Sequence, residues 1–266
     1  GEVHRLLVPI APFLGAAVLG LQSEAEMHEG PLVIAGLGVD PPASSVQFRV
    51  DLLTLGEDGR IEQPSSLADV EADIVAVAPK LNTKNLTFVP GVPGLHGLVW
   101  EGQGIDGKTV EPRGAVGEPI QKVLPEGDYE QQLRRFIDDS VNLLSSLESV
   151  QRCQEEDRPF ANLLWPWGGG IRSPLPNLAL LRGAPAFVET SSMRLAGLAR
   201  LAGYVPREVG RLGSGTRLNM EVLRQATTEN LDTVATLDAF GELASRGLYE
   251  EAAWLLDQLD EKLLFQ

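Results

Sequence analysis

One cysteine, Cys153, stands in the whole chain, so no internal disulfide can form and a reducing cytoplasm is the expected setting. Histidine is scarce as well: His4, His28 and His96 lie far apart and form no cluster in sequence. Excess positive charge is missing. Against 22 Lys and Arg stand 37 Asp and Glu, a formal net charge of −15. Such a surface repels phosphate backbones and anionic lipid, which argues against nucleic acid and membrane as partners. The longest apolar run, "LLVPIAPFLGAAVLGL", is interrupted by two prolines and is short for a membrane span. It reads as a buried strand, a turn and a short helix.

What remains is ample material for a folded protein. The 266 residues are 43% hydrophobic and 22% charged, enough for one large domain or two smaller ones. "SSVQFRVDLLTL" (44–55) alternates apolar and polar residues as a half-buried strand does. "SLADVEADIVAVAPKL" reads as a helix opened by Ser66. "LTFVP" and "HGLVWEG" read as strands joined by "GVPGL", and "GEPIQKVLP" as another strand. From Asp128 the residues Leu133, Phe136, Ile137, Val141 and Leu144 recur at helical spacing. From about residue 160 the pattern alternates: "FANLLWPW" strand, "PAFVE" strand, "SSMRLAGLARLAG" helix, "NMEVLRQATTE" helix, "LDTVATL" strand and a long amphipathic C-terminal helix. That order predicts a mostly parallel sheet flanked by helices.

The stretch "FANLLWPWGGGIRSPLP" (160–176) is the most unusual. Trp165 and Trp167 alternate along a strand and face one side. Gly168, Gly169 and Gly170 read as a turn after it. Backbone N–H groups of such a turn can cradle an anion, with Arg172 assisting. The competing reading is a tight turn that needs glycine for its backbone alone. No GxGxxG or GxxxxGK motif frames these three glycines.

Residues 160–219, with "GLARLAG" closing a helix, resemble the archaeal-type cofactor-independent phosphoglycerate mutases of the alkaline phosphatase superfamily. "GPLVIAGLGVD" and "VQFRVDLLTL" are similar to that family's "GPFEALGVGID" and "VAFRCNFATV", and "EPIQKVLP" with the helix after Asp128 matches the end of its inserted cap. The resemblance implies a truncated alkaline-phosphatase-like α/β core, residues 1–45 and 153–266, with an α+β cap inserted over 46–152. It also implies a reaction that moves a phosphoryl group between the 2- and 3-positions of glycerate. Two divalent metals and a transiently phosphorylated serine carry that chemistry in the family.

Those groups are not found here. Where the family's nucleophilic serine follows "PIAP", this chain reads Phe13, Leu14 and Gly15. The central ligand cluster falls on Thr236, Gly241 and Ser245, with Glu242 and Asp238 nearby. Neither the family's "LDGxGD" nor its "DHxTP" occurs in the 266 residues. The cap's arginine-rich segment is replaced by "EQPSSLA" (62–68), and Gly97 follows His96 where the family has arginine. Arg49 of the "RCN" element remains, but its asparagine is Asp51, a carboxylate that repels a phosphorylated substrate. The expectation is therefore a non-catalytic phosphoglycerate-mutase-like protein, without metal cofactors, acting in binding or assembly, with a protein partner or a second copy of itself. Two alternatives stay open: a metal-dependent mutase or phosphatase-type enzyme with a divergent or partner-completed site, and an anion- or nucleotide-binding regulator. Any site for a small phosphorylated ligand is expected at Arg49, Gly168, Gly169, Gly170 and Arg172.

Overall fold

The computed structural model describes residues 27–182, 187–190 and 192–208. The chain divides into two compact units: Glu26–Ser173, and Gly1–Ala25 with Pro174–Gln266. The expected strand at 5–11 and the elements expected beyond residue 208 lie outside the described residues.

The first unit opens with helix α1 (Glu29–Gly36), buried from Gly30 onward. Strand β1 (Val46–Leu55) follows, then β2 (Ile61–Glu62), reached through a turn in which Gly59 takes φ 76°. Helix α2 (Glu71–Val77) runs into a 3-10 turn at Ala78–Leu81. Strands β3 (Leu86–Val92) and β4 (Leu95–Trp100) form a hairpin. The short β5 (Gly107–Lys108), α3 (Pro112–Ala115), a 3-10 turn at Ile120–Lys122 and β6 (Glu126–Gly127) lead to α4 (Glu130–Ser145). Helix α5 (Glu148–Glu155) and strand β7 (Leu163–Gly170) complete the unit.

These strands build a five-stranded sheet in the order β2-β1-β4-β3, with β7 on β1. All of its pairings are antiparallel. The alternation read in β1 is real: Val46, Phe48, Val50 and Leu52 point to one face and are fully buried. There they meet Leu98 from β4, Phe88 from β3, and Tyr129, Leu133 and Phe136 at the start of α4. Each such side chain contributes roughly 1.5–3 kcal/mol by leaving water. On the opposite face α1 seats Ile34 against Val89 and Val99. A third cluster gathers Leu53, Ile61, Ile137, Leu163 and Trp165.

Two polar side chains finish the sheet. The Asn162 Oδ1 accepts the Leu55 N–H at 2.7 Å, and its Nδ2 donates to the Leu55 carbonyl at 3.3 Å, continuing the ladder where β7 has not yet begun. The buried Ser140 Oγ of α4 accepts the Leu164 N–H at 3.1 Å. An otherwise unmet donor of strand β7 is thereby paired.

Several expectations change. "GEPIQKVLP" is a 3-10 turn rather than a strand. Its apolar residues Ile120 and Val123 are three apart and both buried, which suits one helical turn better than an alternating strand. Ser66 does not cap α2; that helix starts after Val70, and the Ser66 hydroxyl accepts the Ala68 N–H at 3.3 Å in the preceding turn. Gly168, Gly169 and Gly170 belong to β7 itself instead of a turn beyond it. In the unit Glu26–Ser173, α1 and β7 both pack on β1.

In the second unit the described residues form α6 (Leu178–Arg182), β8 (Phe187–Thr190), α7 (Met193–Leu201) and β9 (Val205–Glu208). Strands β8 and β9 are parallel, in the register Phe187↔Val205. A helix connects them, as parallel pairing requires. Ser192 caps α7 by accepting the Leu195 N–H at 3.3 Å, and Gly203 at φ 83° ends it. The mixed α/β class is present, but "FANLLWPW", expected in the parallel sheet of the second half, is β7 and pairs antiparallel with β1, while β8 pairs in parallel with β9, a strand not expected from the sequence.

Candidate functional site

Arg49 lies near the middle of β1, between Gly97 on β4 and Trp167 on β7. Its side chain is 25% exposed and surrounded by partners. The guanidinium donates to Asp51 Oδ1 at 2.9 Å and to Glu29 Oε1 at 3.2 Å. It also stacks over the Trp167 ring, 5.2 Å from the centroid. Burial works against its charge, but Asp51 and Glu29 outweigh that and raise its pKa above the ordinary arginine value. The second Asp51 oxygen accepts the Trp167 indole N–H. Strand geometry accounts for Asp51, because residues two apart on β1 share a face. Glu29 comes from the first turn of α1, where a carboxylate also favours the helix dipole.

Two of the three glycines, Gly168 and Gly170, seat the start of this helix. A β-carbon on Gly168 would overlap Glu29, and one on Gly170 would overlap His28. A β-carbon on Gly169 would overlap the Phe48 ring. Gly168 also takes φ 63°, at the irregularity where β7 passes Gln47 and Arg49. Gly170 pairs with Gln47 in the ladder. The structure thus brings Arg49 and the glycine strand together around α1. Arg172 is instead ion-paired with the exposed Asp40. Trp165 is buried and donates its indole N–H to the Val110 carbonyl at 2.8 Å, and it shares one cluster with Trp167 as their alternation implied.

A second pair lies nearby. His96 is 1% exposed; its Nδ1 accepts the Gly91 N–H at 3.1 Å and its Nε2 lies 3.3 Å from Glu71 Oε1. Burial pushes its pKa below 6.5, while Glu71 and then Asp51 oppose that shift. The sequence singled out His96 but not Glu71, which sits on another element and carries no local signal.

One motif escaped the sequence reading. "GQGIDGKT" (102–109) spells GxxxxGK[ST], the consensus of a phosphate loop. That consensus needs a helix to begin at its lysine. Here Gly107 and Lys108 form β5, opposite Gly127 and Glu126, and no helix starts there. The Asp128 carboxylate accepts the Asp106 N–H at 3.0 Å and lies where a Gly104 side chain would stand. The spelling is therefore not matched by phosphate-loop geometry.

Among the described residues no three or more His, Cys, Asp or Glu side chains gather as a metal site. Thr236, Gly241 and Ser245, like Phe13, Leu14 and Gly15, lie outside the described residues. As a donor set, a glycine and two neutral hydroxyls do not fit a divalent metal pair. No described helix is long and apolar enough to cross a membrane.

Comparison with known proteins places the fold. Residues 17–149 match the family profile of 2,3-bisphosphoglycerate-independent phosphoglycerate mutase. The enzyme of that name from Methanosarcina mazei is 28% identical over 244 residues, covering 88% of this chain and 61% of the relative. A second from Methanothermobacter thermautotrophicus is 29% identical over 249 residues, covering 88% and 60%. The chain thus spans about three fifths of the length of these relatives. The cofactor-independent phosphoglycerate mutase of Thermoplasma acidophilum superposes with a TM-score of 0.52 at 20% identity, over 74% of this chain and 56% of that one. A Pyrococcus horikoshii protein superposes with a TM-score of 0.56 at 18% identity, over 83% and 54%. The fold is that of these mutases, alkaline-phosphatase-like, and the chain belongs to the 2,3-bisphosphoglycerate-independent phosphoglycerate mutase family.

Proposed function

We propose that this chain is a member of the family that does not catalyse the mutase reaction and serves in binding or assembly, with a protein partner or a second copy of itself. The observation that carries this reading is the surplus of negative charge around Arg49, one guanidinium against two carboxylates. Its guanidinium is held by Asp51 and Glu29 and covered by Trp167. A phosphoryl group approaching it meets two carboxylates. At about 5 Å and an effective dielectric of about 20, each unit-charge repulsion is on the order of 3 kcal/mol. An asparagine at position 51, as in the related motif, offers an amide donor in place of that charge.

The replacements at Phe13–Gly15 and at Thr236, Gly241 and Ser245 agree with this reading, since they remove nucleophile and ligand chemistry from the interior of the chain. In the same reading, the antiparallel unit is the counterpart of the family's inserted cap. The parallel β8–α7–β9 segment is the counterpart of its phosphatase-like core.

Calorimetric titration of the full chain with 3-phosphoglycerate, beside Asp51→Asn, tests the proposal. No binding by the native chain at millimolar ligand is expected. Binding by the native chain in the micromolar range, with turnover in a coupled assay, refutes it.

A further inference from the structure

The turn between β3 and β4 is held in an unusual way. Pro90 has no N–H, and the β3–β4 register breaks between Val89 and Val92. The Gly91 N–H, left without a ladder partner by that break, is accepted by Nδ1 of His96 at 3.1 Å. Beyond it, the Gly94 N–H is accepted by Glu71 Oε1. The same Glu71 oxygen lies 3.3 Å from His96 Nε2. Both anchors of the turn therefore run through one His–Glu pair.

The accepting role of Nδ1 assigns the protonation state. A neutral imidazole that accepts at Nδ1 carries its proton on Nε2, facing Glu71. Nε2 makes no well-aligned hydrogen bond in the structure, so the carboxylate holds it by proximity. If a proton is added, it goes to Nδ1. That nitrogen becomes a donor pointed at the Gly91 N–H, itself a donor. Two buried donors face to face lose their bond and repel.

We infer that the Gly91–Gly94 turn is an acid-released latch, fastened by neutral His96 and opened when Nδ1 takes up a proton. The groups facing the imidazole are few. Glu71 faces it from α2 and Asp51 acts on it from β1; Asp51 is already bound to Arg49 and Trp167. From β3 the Phe88 ring stands 5.5 Å away, and Leu37, just past α1, lies against Gly91. The two carboxylates favour the proton and burial disfavours it; burial wins, so release needs acid below the ordinary histidine range. The sign follows: folded His96 binds a proton less readily than unfolded His96, so the stability of the fastened turn is full above pH 6.5 and falls as pH drops from there.

Amide hydrogen exchange on the full chain, expressed as protection factors from about pH 7.5 to about pH 4.5, reads the latch directly. Protection at Gly91 and Gly94 should fall about tenfold or more in acid, while the amides of β1 and α4 keep theirs. Glu71→Gln keeps an acceptor for Gly94 but removes the charge that favours the imidazolium, and should move the release to lower pH. His96→Phe should leave Gly91 unprotected at every pH, without a step. A flat profile in the native chain, a step retained in His96→Phe, or loss of protection by the whole unit at the same pH each overturns the inference.

Discussion

Arg49 spends its charge inside the protein. Asp51 and Glu29, whose side chains are 13% and 12% exposed, take up its guanidinium, and Trp167 covers its face. Asp51→Asn keeps the shape and an oxygen for the Trp167 N–H but removes one of the two opposing charges. A loss of roughly 1–3 kcal/mol is expected for this charge-assisted pair, read as a lowered midpoint in urea unfolding. Gly169→Ala should cost a similar amount, about 1–3 kcal/mol, because its methyl group enters the Phe48 ring. Tyr129 is the residue for alkaline pH. Burial, then Asp106 and Asp128, push its pKa up to about 12. The folded state holds this proton more tightly than the unfolded chain, whose value is 10.0, so stability falls as pH rises from 10.0 towards about 12. Ultraviolet titration should show one tyrosinate appearing late, and Tyr129→Phe should flatten that part of the stability profile.

At the scale of elements, β7 is held by side chains that imitate backbone. Ser140→Ala strips the acceptor from the Leu164 N–H and leaves a buried donor unmet, at roughly 1–3 kcal/mol. Thermal unfolding should register that loss, whereas Ser146→Ala, near the exposed end of α4, should be nearly neutral. The legibility of these elements differed for physical reasons. Helix α4 could be read because its apolar residues keep helical spacing against charged neighbours. Helix α1 could not, because "PLVIAG" is apolar all round and carries no period. The glycines of β7 passed for a turn because what requires them, Phe48, His28 and Glu29, comes from distant sequence. Asp51 was visible in the sequence as a carboxylate two residues from Arg49, in place of the related motif's asparagine. Glu29, twenty residues away, was not.

For the whole molecule, the family frame and the mixed α/β class were legible in the order of several weak motifs, and the comparisons support them. The chemistry is a separate matter, since function resides in particular side chains rather than in the fold. Around Arg49 one guanidinium faces two carboxylates, and the proposed non-catalytic reading rests on that surplus together with the replacements at Phe13–Gly15 and at Thr236, Gly241 and Ser245. Phosphorus-31 NMR of 3-phosphoglycerate incubated with the full chain and manganese or zinc tests this most directly. The spectrum should remain that of the added isomer, as it does without protein; build-up of 2-phosphoglycerate to its equilibrium share would contradict the non-catalytic reading.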